Sequence, residues 1–495
     1  MPKPVKAGGA KGARKVDPPM PHEAKQNPAQ VPRWDRPEGD TDPYGWVERS
    51  VWTERMLECL RRGGPEGGVW YSLNDKMISV STLRSAYARV ARNGGAAGVD
   101  GISVEQFGKR LEEELARLIT ALRVGTYRPQ AVRRTWIPKP GTDERRPLGI
   151  PTVRDRVVQT ALAMTLEPIF EQTFSEHSHG FRPGRSAHGA LSAVLDHLKA
   201  GKVWVVDADL KGYFDSIPHA WLLASVRRQV ADRRILGLID SFLKAGIWNG
   251  ETLSEPDAGT PQGGVISPLL ANIYLNDLDH LMDQAGQSME RYADDFVICC
   301  QNQAEAERAL EQVRAWTAQA GLTLHPTKTR IVDLSQDRAY VDFLGFRLQR
   351  HRDKTGGDRI LRLVRPKTLA KVTDAIRTQT PRKMAHGMTE TISGLNRTLR
   401  GWFGYFRSAS KAIHHNLDGF IRRRLRSQLC KANGMSCWGN GIAHQRWTNA
   451  FFDGLDLFSL ERAHAGFINS HRGTTNRRAV CGKSARTVRR EGRRG

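Results

Sequence analysis

Apolar positions along the chain follow two periods. Residues three and four apart recur from Val104 to Leu122 and from Ala304 to Gly321, and a mostly apolar version of the same spacing runs from Asp155 to Glu171. Ser81 is placed to cap a helix that reaches about Arg92 and stops at Gly94-Gly95. Ser103 and Gln106 have the form of a capping box at the start of the next helix. His219 to Ala231 reads as a further helix. Runs rich in β-branched and aromatic residues at Arg133–Pro138, Lys202–Asp209, Tyr292–Cys300 and Thr329–Leu334 read as strands, the first leading into a polar turn, Pro140–Glu144.

Outside these stretches the pattern weakens. Residues 1–45, rich in Pro, Gly, Lys and Asp, are expected to form a disordered arm. Residues 46–80 form an N-terminal extension, with a short apolar pattern at Trp46, Val51, Trp52, Met56 and Leu60 and a Gly-rich break at Arg62–Gly68. Residues 81–350 look like one mixed helix and strand region, and residues 351–431 form the next region, in which the composition turns helical and strongly basic after Leu361. Residues 432–495 carry Trp447, Phe451, Phe452, Leu455, Leu457 and Phe458 ahead of a basic tail from residue 472. That apolar group is read as a small cluster under the basic tail, part of an end that contacts DNA or RNA without nuclease activity.

Charge narrows the function. The 76 Lys+Arg against 52 Asp+Glu give a formal charge of +24, which points to a polyanionic partner because each neutralised phosphate releases counterions. No run of about 18 apolar residues and no secretory signal are found, so no membrane partner is expected and the localisation is read as cytoplasmic. Six cysteines occur without a C-x-x-C pair, which suits a reducing compartment. Cys430 and Cys437 have no second pair nearby to complete a zinc site, and Cys299 and Cys300 are read as packing residues. His177, His179, His188 and His219 share no metal-ligand spacing with a Cys or acid cluster, and are read as structural or RNA-facing.

The carboxylates carry the chemistry. Tyr292-Ala293-Asp294-Asp295 places two acids at the tip of an expected hairpin, where they repel each other unless a cation lies between them. The strand ending Asp207-Ala208-Asp209 supplies a third acid. A strand-end Asp facing a hairpin-tip pair is a minimal ligand set for two Mg²⁺, which promote phosphoryl transfer by activating a 3′-hydroxyl and neutralising a leaving pyrophosphate. Asp207 and Asp215 compete for the same role, and strand alternation favours Asp207, on the same face as Asp209.

With these residues go Asp209-Leu-Lys-Gly-Tyr-Phe-Asp215 and Gly259-Thr-Pro-Gln-Gly-Gly-Val-Ile-Ser-Pro-Leu-Leu-Ala-Asn-Ile-Tyr-Leu275. Other blocks follow in order: Asn93-Gly-Gly-Ala-Ala-Gly-Val-Asp-Gly101, Ile137-Pro-Lys-Pro-Gly141, Arg146-Pro-Leu-Gly-Ile-Pro151, His179-Gly-Phe-Arg-Pro-Gly-Arg-Ser186, Gly321-Leu-Thr-Leu-His-Pro-Thr-Lys-Thr329 and Phe343-Leu-Gly-Phe346. The ordered series resembles the reverse transcriptases encoded by bacterial group II introns, over about residues 80–430.

The resemblance implies an α+β right-hand polymerase, with fingers, a palm built on a small antiparallel sheet, and a helical thumb or maturase domain. It matches Asp209, Asp294 and Asp295 to the catalytic, metal-holding aspartates and Gln262 to a residue touching the incoming nucleotide. Phe214 falls at the steric gate against a 2′-hydroxyl. Lys139 and Arg146 fall where cations hold the triphosphate; Arg146 is preferred to Arg145 because it directly precedes Pro-Leu-Gly-Ile-Pro. Lys328 is placed near primer or nucleotide phosphates. Arg182 and Arg185 suit template contacts, and Arg422, Arg423 and Arg424 suit intron RNA. For Trp402 and Tyr405, inside the basic helical region, packing is the default reading. The expected partners are intron RNA, an RNA template with a DNA primer, dNTPs and target DNA. The paired cysteines of an H-N-H endonuclease are missing from residues 432–495. Two alternatives stay open, a non-catalytic RNA-binding splicing cofactor and a defence or diversity-generating reverse transcriptase.

Overall fold

The computed structural model describes residues 42, 44–138, 145–254, 256–352, 358–384, 386–435 and 441–470. The expected N-terminal arm, Lys139, the Pro140–Glu144 turn and the basic tail lie outside them. Among the described residues, eleven strands form three sheets. In chain order they are β1 (Val132–Pro138), β2 (Arg145–Ile150), β3 (Trp204–Asp209), β4 (Ile247–Trp248), β5 (Leu253–Ser254), β6 (Ser288–Tyr292), β7 (Asp295–Cys300), β8 (Arg330–Asp333), β9 (Tyr340–Phe343), β10 (Phe346–Arg352) and β11 (Asp358–Val364).

The fingers sheet runs β2-β1-β4-β5 and includes one parallel pair, β1 with β4. The palm sheet runs β6-β7-β3-β8 and is antiparallel throughout. Both palm faces are covered. Val206, Ala208, Phe296 and Ile298 enter the large core shared with the fingers helices, while Val205, Val297 and Cys299 enter a second core with Phe343, Phe346 and Phe406. Burial on both faces is why these strands read as apolar runs instead of clean alternation. A third sheet, β11-β10-β9, leads into the thumb helices Pro366–Gln379, Met388–Phe406 and Lys411–Ala432.

Several expected boundaries shift. Ser79, not Ser81, caps the helix Val80–Asn93, its side chain accepting from the Thr82 amide. The capping box at Ser103 and Gln106 forms, but the helix it opens ends at Lys109, and a second, Leu111–Val124, starts after Arg110, whose φ of −121° breaks the continuity. The helix from His219 stops at Arg227. Residues 46–80 share the fingers core through Trp52, Leu57, Leu60 and Met77. Strand β11 ends at Val364, and the thumb helices begin at Pro366. Trp447, Phe452 and Leu457 join the thumb core with Leu399, Ile421 and Leu425. Trp402 and Tyr405 pack as expected: Trp402 lies 5.1 Å from the Phe406 ring, and the Tyr405 hydroxyl donates to Leu344 O at 3.0 Å. Cys59, Cys299 and Cys300 are free, whereas Cys430 is disulfide-bonded, a pairing that the scattered cysteines did not suggest.

One buried cation organises the palm. Arg291, on β6 and fully buried, donates from Nε to Asp279 Oδ1 at 2.6 Å and from Nη2 to the other Asp279 oxygen. It also reaches Asn272 Oδ1 (3.0 Å), Ser178 Oγ (2.7 Å) and Ala293 O (2.8 Å). The helix Ser267–Gln284, the loop before the helix Ala187–Lys199 and the β6–β7 turn therefore meet on one guanidinium. Removing one member of such a pair strands a buried charge, so Arg291→Met should cost about 3–5 kcal/mol of stability in urea unfolding. Arg291→Met/Asp279→Leu should recover part of that loss; a double variant no more stable than the single one would show that the stranded charge is not the cause.

Candidate active site

Strand register places the three aspartates. Asp209 ends β3 directly opposite Asp295, the first residue of β7, and Tyr292 pairs with Asp295 from the other side. Asp294 is then the second of two residues in the β6–β7 turn. The first, Ala293, has φ +60°, a conformation that favours glycine. Gly180 packs against this turn, and a Cβ there would sit 2.3 Å from the Ala293 nitrogen. The His179-Gly-Phe-Arg block thus supplies the close approach that supports the hairpin tip.

The acids outnumber their counter-charges. Lys328 Nζ donates to Asp209 Oδ2, and Arg330 Nε donates to Asp207 Oδ2 at 3.2 Å. Burial, then Asp207, Asp294 and Asp209, push the Asp295 carboxyl up to about 7. Burial also raises Asp294, with Asp209 adding to it and Arg146 and Arg291 opposing it. Among the described residues the three aspartates do not converge to the 4.8 Å mutual separation that His177, His197 and Glu290 reach. A divalent cation held by these carboxylates would supply the missing positive charge. The oxygen-only donor set fits Mg²⁺.

The other expected site residues divide. Arg146 on β2 donates from Nε to Gln262 Oε1 at 2.8 Å, and Gln262 Nε2 donates to Asp215 Oδ2 at 3.0 Å. A fingers cation is thereby joined to the palm through one amide, and Asp215 belongs to this relay. Gly259, at φ +90°, allows the contact: a Cβ there would lie 2.8 Å from the Asp215 backbone. Phe214 is half-buried, its ring 5.6 Å from Tyr213 and edge-on to it.

Arg182 departs from its expected role. Its side chain is 2% exposed, bridges Glu171 at 2.9 Å and donates to the Ser175 and Ser178 carbonyls, so it is spent on the loop and does not reach a template. Arg185 is held by Glu176 but stays partly exposed. Arg424 donates to Thr380, and Arg422 lies 3.7 Å from Asp418; Arg423 between them is exposed. Sequence reasoning missed Arg291 and the Arg146–Gln262–Asp215 relay. The available signal for the first was a charged pair, Glu290-Arg291, inside an otherwise strand-like run.

Two family models and several known proteins are similar to this chain. The family described as Reverse transcriptase (RNA-dependent DNA polymerase) matches residues 137–348, and Group II intron, maturase-specific domain, matches residues 369–439. Protein YkfC of Escherichia coli K12 is 36% identical over 303 residues, covering 53% of this chain and 78% of YkfC. The group II intron-encoded protein LtrA of Lactococcus lactis subsp. cremoris is 41% identical over 241 residues, which is 48% of this chain and 40% of LtrA. The chain therefore spans about two fifths of the length of LtrA. A chain of a solved Cas6-RT-Cas1–Cas2 complex superposes with a TM-score of 0.34 at 26% identity, over 50% of this chain and 42% of that one. Reverse transcriptases as a family use divalent metal ions. No helix among the described residues is long and apolar enough to cross a membrane.

The raised Asp295 carboxyl has a consequence for stability. Its folded value of about 7 lies above the ordinary 3.8, so its contribution is fully present below about 3.8 and is lost as pH rises through about 7. In chelator, wild-type Tm should fall between pH 5 and 8, and Asp295→Asn should flatten that fall and melt higher than wild type at pH 8. Parallel Tm curves for the two proteins would show that Asp295 is not the titrating group.

Proposed function

The chain belongs to the reverse transcriptase and maturase family encoded by group II introns, and from that premise we propose that it copies RNA into DNA and assists splicing and mobility of its intron. The observation that carries the polymerase reading is the in-register Asp209–Asp295 pair with Asp294 at the adjoining turn, three carboxylates short of positive charge. When bound there, two Mg²⁺ would lower the pKa of a primer 3′-hydroxyl and offset charge on the departing pyrophosphate.

The chain's own residues position the reactants. Arg146, held by Gln262 at 2.8 Å, presents a planar cation suited to a triphosphate oxygen pair. Lys139 would add a second cation from the fingers turn. Phe214 would exclude a 2′-hydroxyl by contact with its ring. Lys328 donates to Asp209 at the edge of this site and would offer its charge to a primer or nucleotide phosphate there.

Splicing would rest on a different surface. The maturase-specific match covers the thumb helices, which present Arg423 to solvent. That match favours an intron partner over defence or diversity-generating relatives. RNA template, DNA primer, intron RNA, dNTPs and target DNA are the partners this reading requires, with the +24 charge supplying long-range attraction. Arg182, being buried, is left out of the RNA surface.

Two activities on two surfaces should separate. Asp294→Asn should abolish extension of a DNA primer on an RNA template and leave splicing of the flanking intron RNA intact. Arg423→Ala should weaken intron RNA binding several-fold and barely change extension on a generic template. Extension by Asp294→Asn would sink the metal-site assignment, and loss of splicing in that variant would couple the two functions.

Phe214→Val should lower the ratio of dNTP to rNTP incorporation by about tenfold or more, corresponding to about 1.4 kcal/mol of lost discrimination. An unchanged ratio would make Phe214 a packing residue.

A further inference from the structure

A second set of metal-type donors lies beside the aspartates. Glu290 is central in β6, the edge strand of the palm sheet, and its side chain is 1% exposed. It pairs with Val297, two residues along β7 from Asp295, so strand alternation puts it on the same face as Asp295. His177 Nδ1 lies 2.9 Å from Glu290 Oε1, and His197 Nε2 lies 3.1 Å from the same oxygen. His179 Nε2 takes the other oxygen, at 2.7 Å. The residues come from separate elements: His177 and His179 from the loop after the helix Val153–Glu171, His197 from the helix Ala187–Lys199, and Glu290 from β6.

We propose that His177, His197 and Glu290 hold a first-row transition-metal ion, Zn²⁺ by preference, that clasps this loop and helix to the strand leading into the Asp294–Asp295 hairpin. Their ligand atoms all lie within 4.8 Å of one another. A tetrahedral ion with bonds of about 2.1 Å needs donors about 3.4 Å apart, so two imidazoles at 2.9 and 3.1 Å from the oxygen have only a few tenths of an ångström to give. His179 then serves as the outer donor that fixes a ligating carboxylate. The side chains of His177 and His197 are 41% and 24% exposed, which gives an entry path and room for a water as fourth ligand. Two imidazoles and one carboxylate suit Zn²⁺, Co²⁺ or Ni²⁺, whereas Mg²⁺ prefers oxygen donors in an octahedron. The site would therefore differ in chemistry from the aspartates' oxygen-only site.

The ion would act on the hairpin through the backbone. His179 N donates to Arg291 O at 2.8 Å, and Arg291 N donates to His177 O at 2.9 Å, so the histidine loop already runs as a short added strand on β6. Fixing His177 to Glu290 and His197 would stiffen that pairing from outside, while Arg291 holds it from inside.

The test uses the full chain, stripped with chelator, incubated with one equivalent of Zn²⁺ or Co²⁺ and desalted. Metal content is read by plasma mass spectrometry, and cobalt geometry by visible absorption. Wild type should retain about one equivalent more than His177→Ala or His197→Ala. His280→Ala, an exposed histidine elsewhere, should match wild type. Zn²⁺ at about 100 times its Kd should raise the wild-type Tm by about 3 °C and leave the His177 and His197 variants unmoved. Equal retention by wild type and both variants would overturn the proposal and leave a metal-free imidazole–carboxylate clamp. A thiolate-to-cobalt charge-transfer band on the retained ion would also overturn it, by placing the metal at cysteine. The cobalt spectrum needs wild-type protein alone: strong tetrahedral absorption without a thiolate band is expected, and the weak absorption of an octahedral oxygen-ligated ion would overturn the proposal even if a variant fails to fold.

Discussion

A single guanidinium, that of Arg291, must be neutralised in a place that water does not reach, and much of the palm is arranged to do so. Burying a charge without partners is prohibitive, so Asp279, Asn272, Ser178 and the Ala293 carbonyl are all brought to it. The partners lie on a helix, a loop and a turn. Satisfying this one group therefore fixes where those three elements stand relative to one another. Because Arg291 directly precedes Tyr292-Ala293-Asp294-Asp295, the same network fixes the height of the hairpin tip that carries two of the three aspartates.

The site itself sits at the opposite electrostatic extreme. Asp207, Asp209, Asp294 and Asp295 crowd one end of the sheet, and the nearby cations are committed singly: Arg330 to Asp207, Lys328 to Asp209. Among the described residues no cation pairs with Asp295, whose carboxyl is pushed up to about 7. Such a place stores unfavourable charge, and relieving that charge would give a divalent cation its affinity there. The fold tolerates the arrangement because Arg291 and the surrounding core stabilise it from below.

The basic composition has two uses. Arg182, Arg291, Arg424 and Arg426 act inside the protein, capping carbonyls and pairing with carboxylates. Arg423 faces solvent and is available to a polyanion. Net charge reports on the surface as a whole, but it does not say which residues make up that surface.

The sequence by itself determined the local elements and the carboxylates. Strand β3 ending in Asp209, the hairpin with Asp294 and Asp295 at its turn, and the ordered motif series are all periodicities or spacings along one line. They survive because each depends on neighbours close in the chain. The tertiary structure decided which charges meet. Arg146 and Gln262 are 116 positions apart, and His177 and Glu290 are 113 apart. Nothing in the local pattern of His177 distinguishes it from an RNA-facing histidine, and nothing near Arg182 marks it as buried. Pairing and burial depend on distance through space and on exclusion of water, and both are set only when the helices close over the sheet.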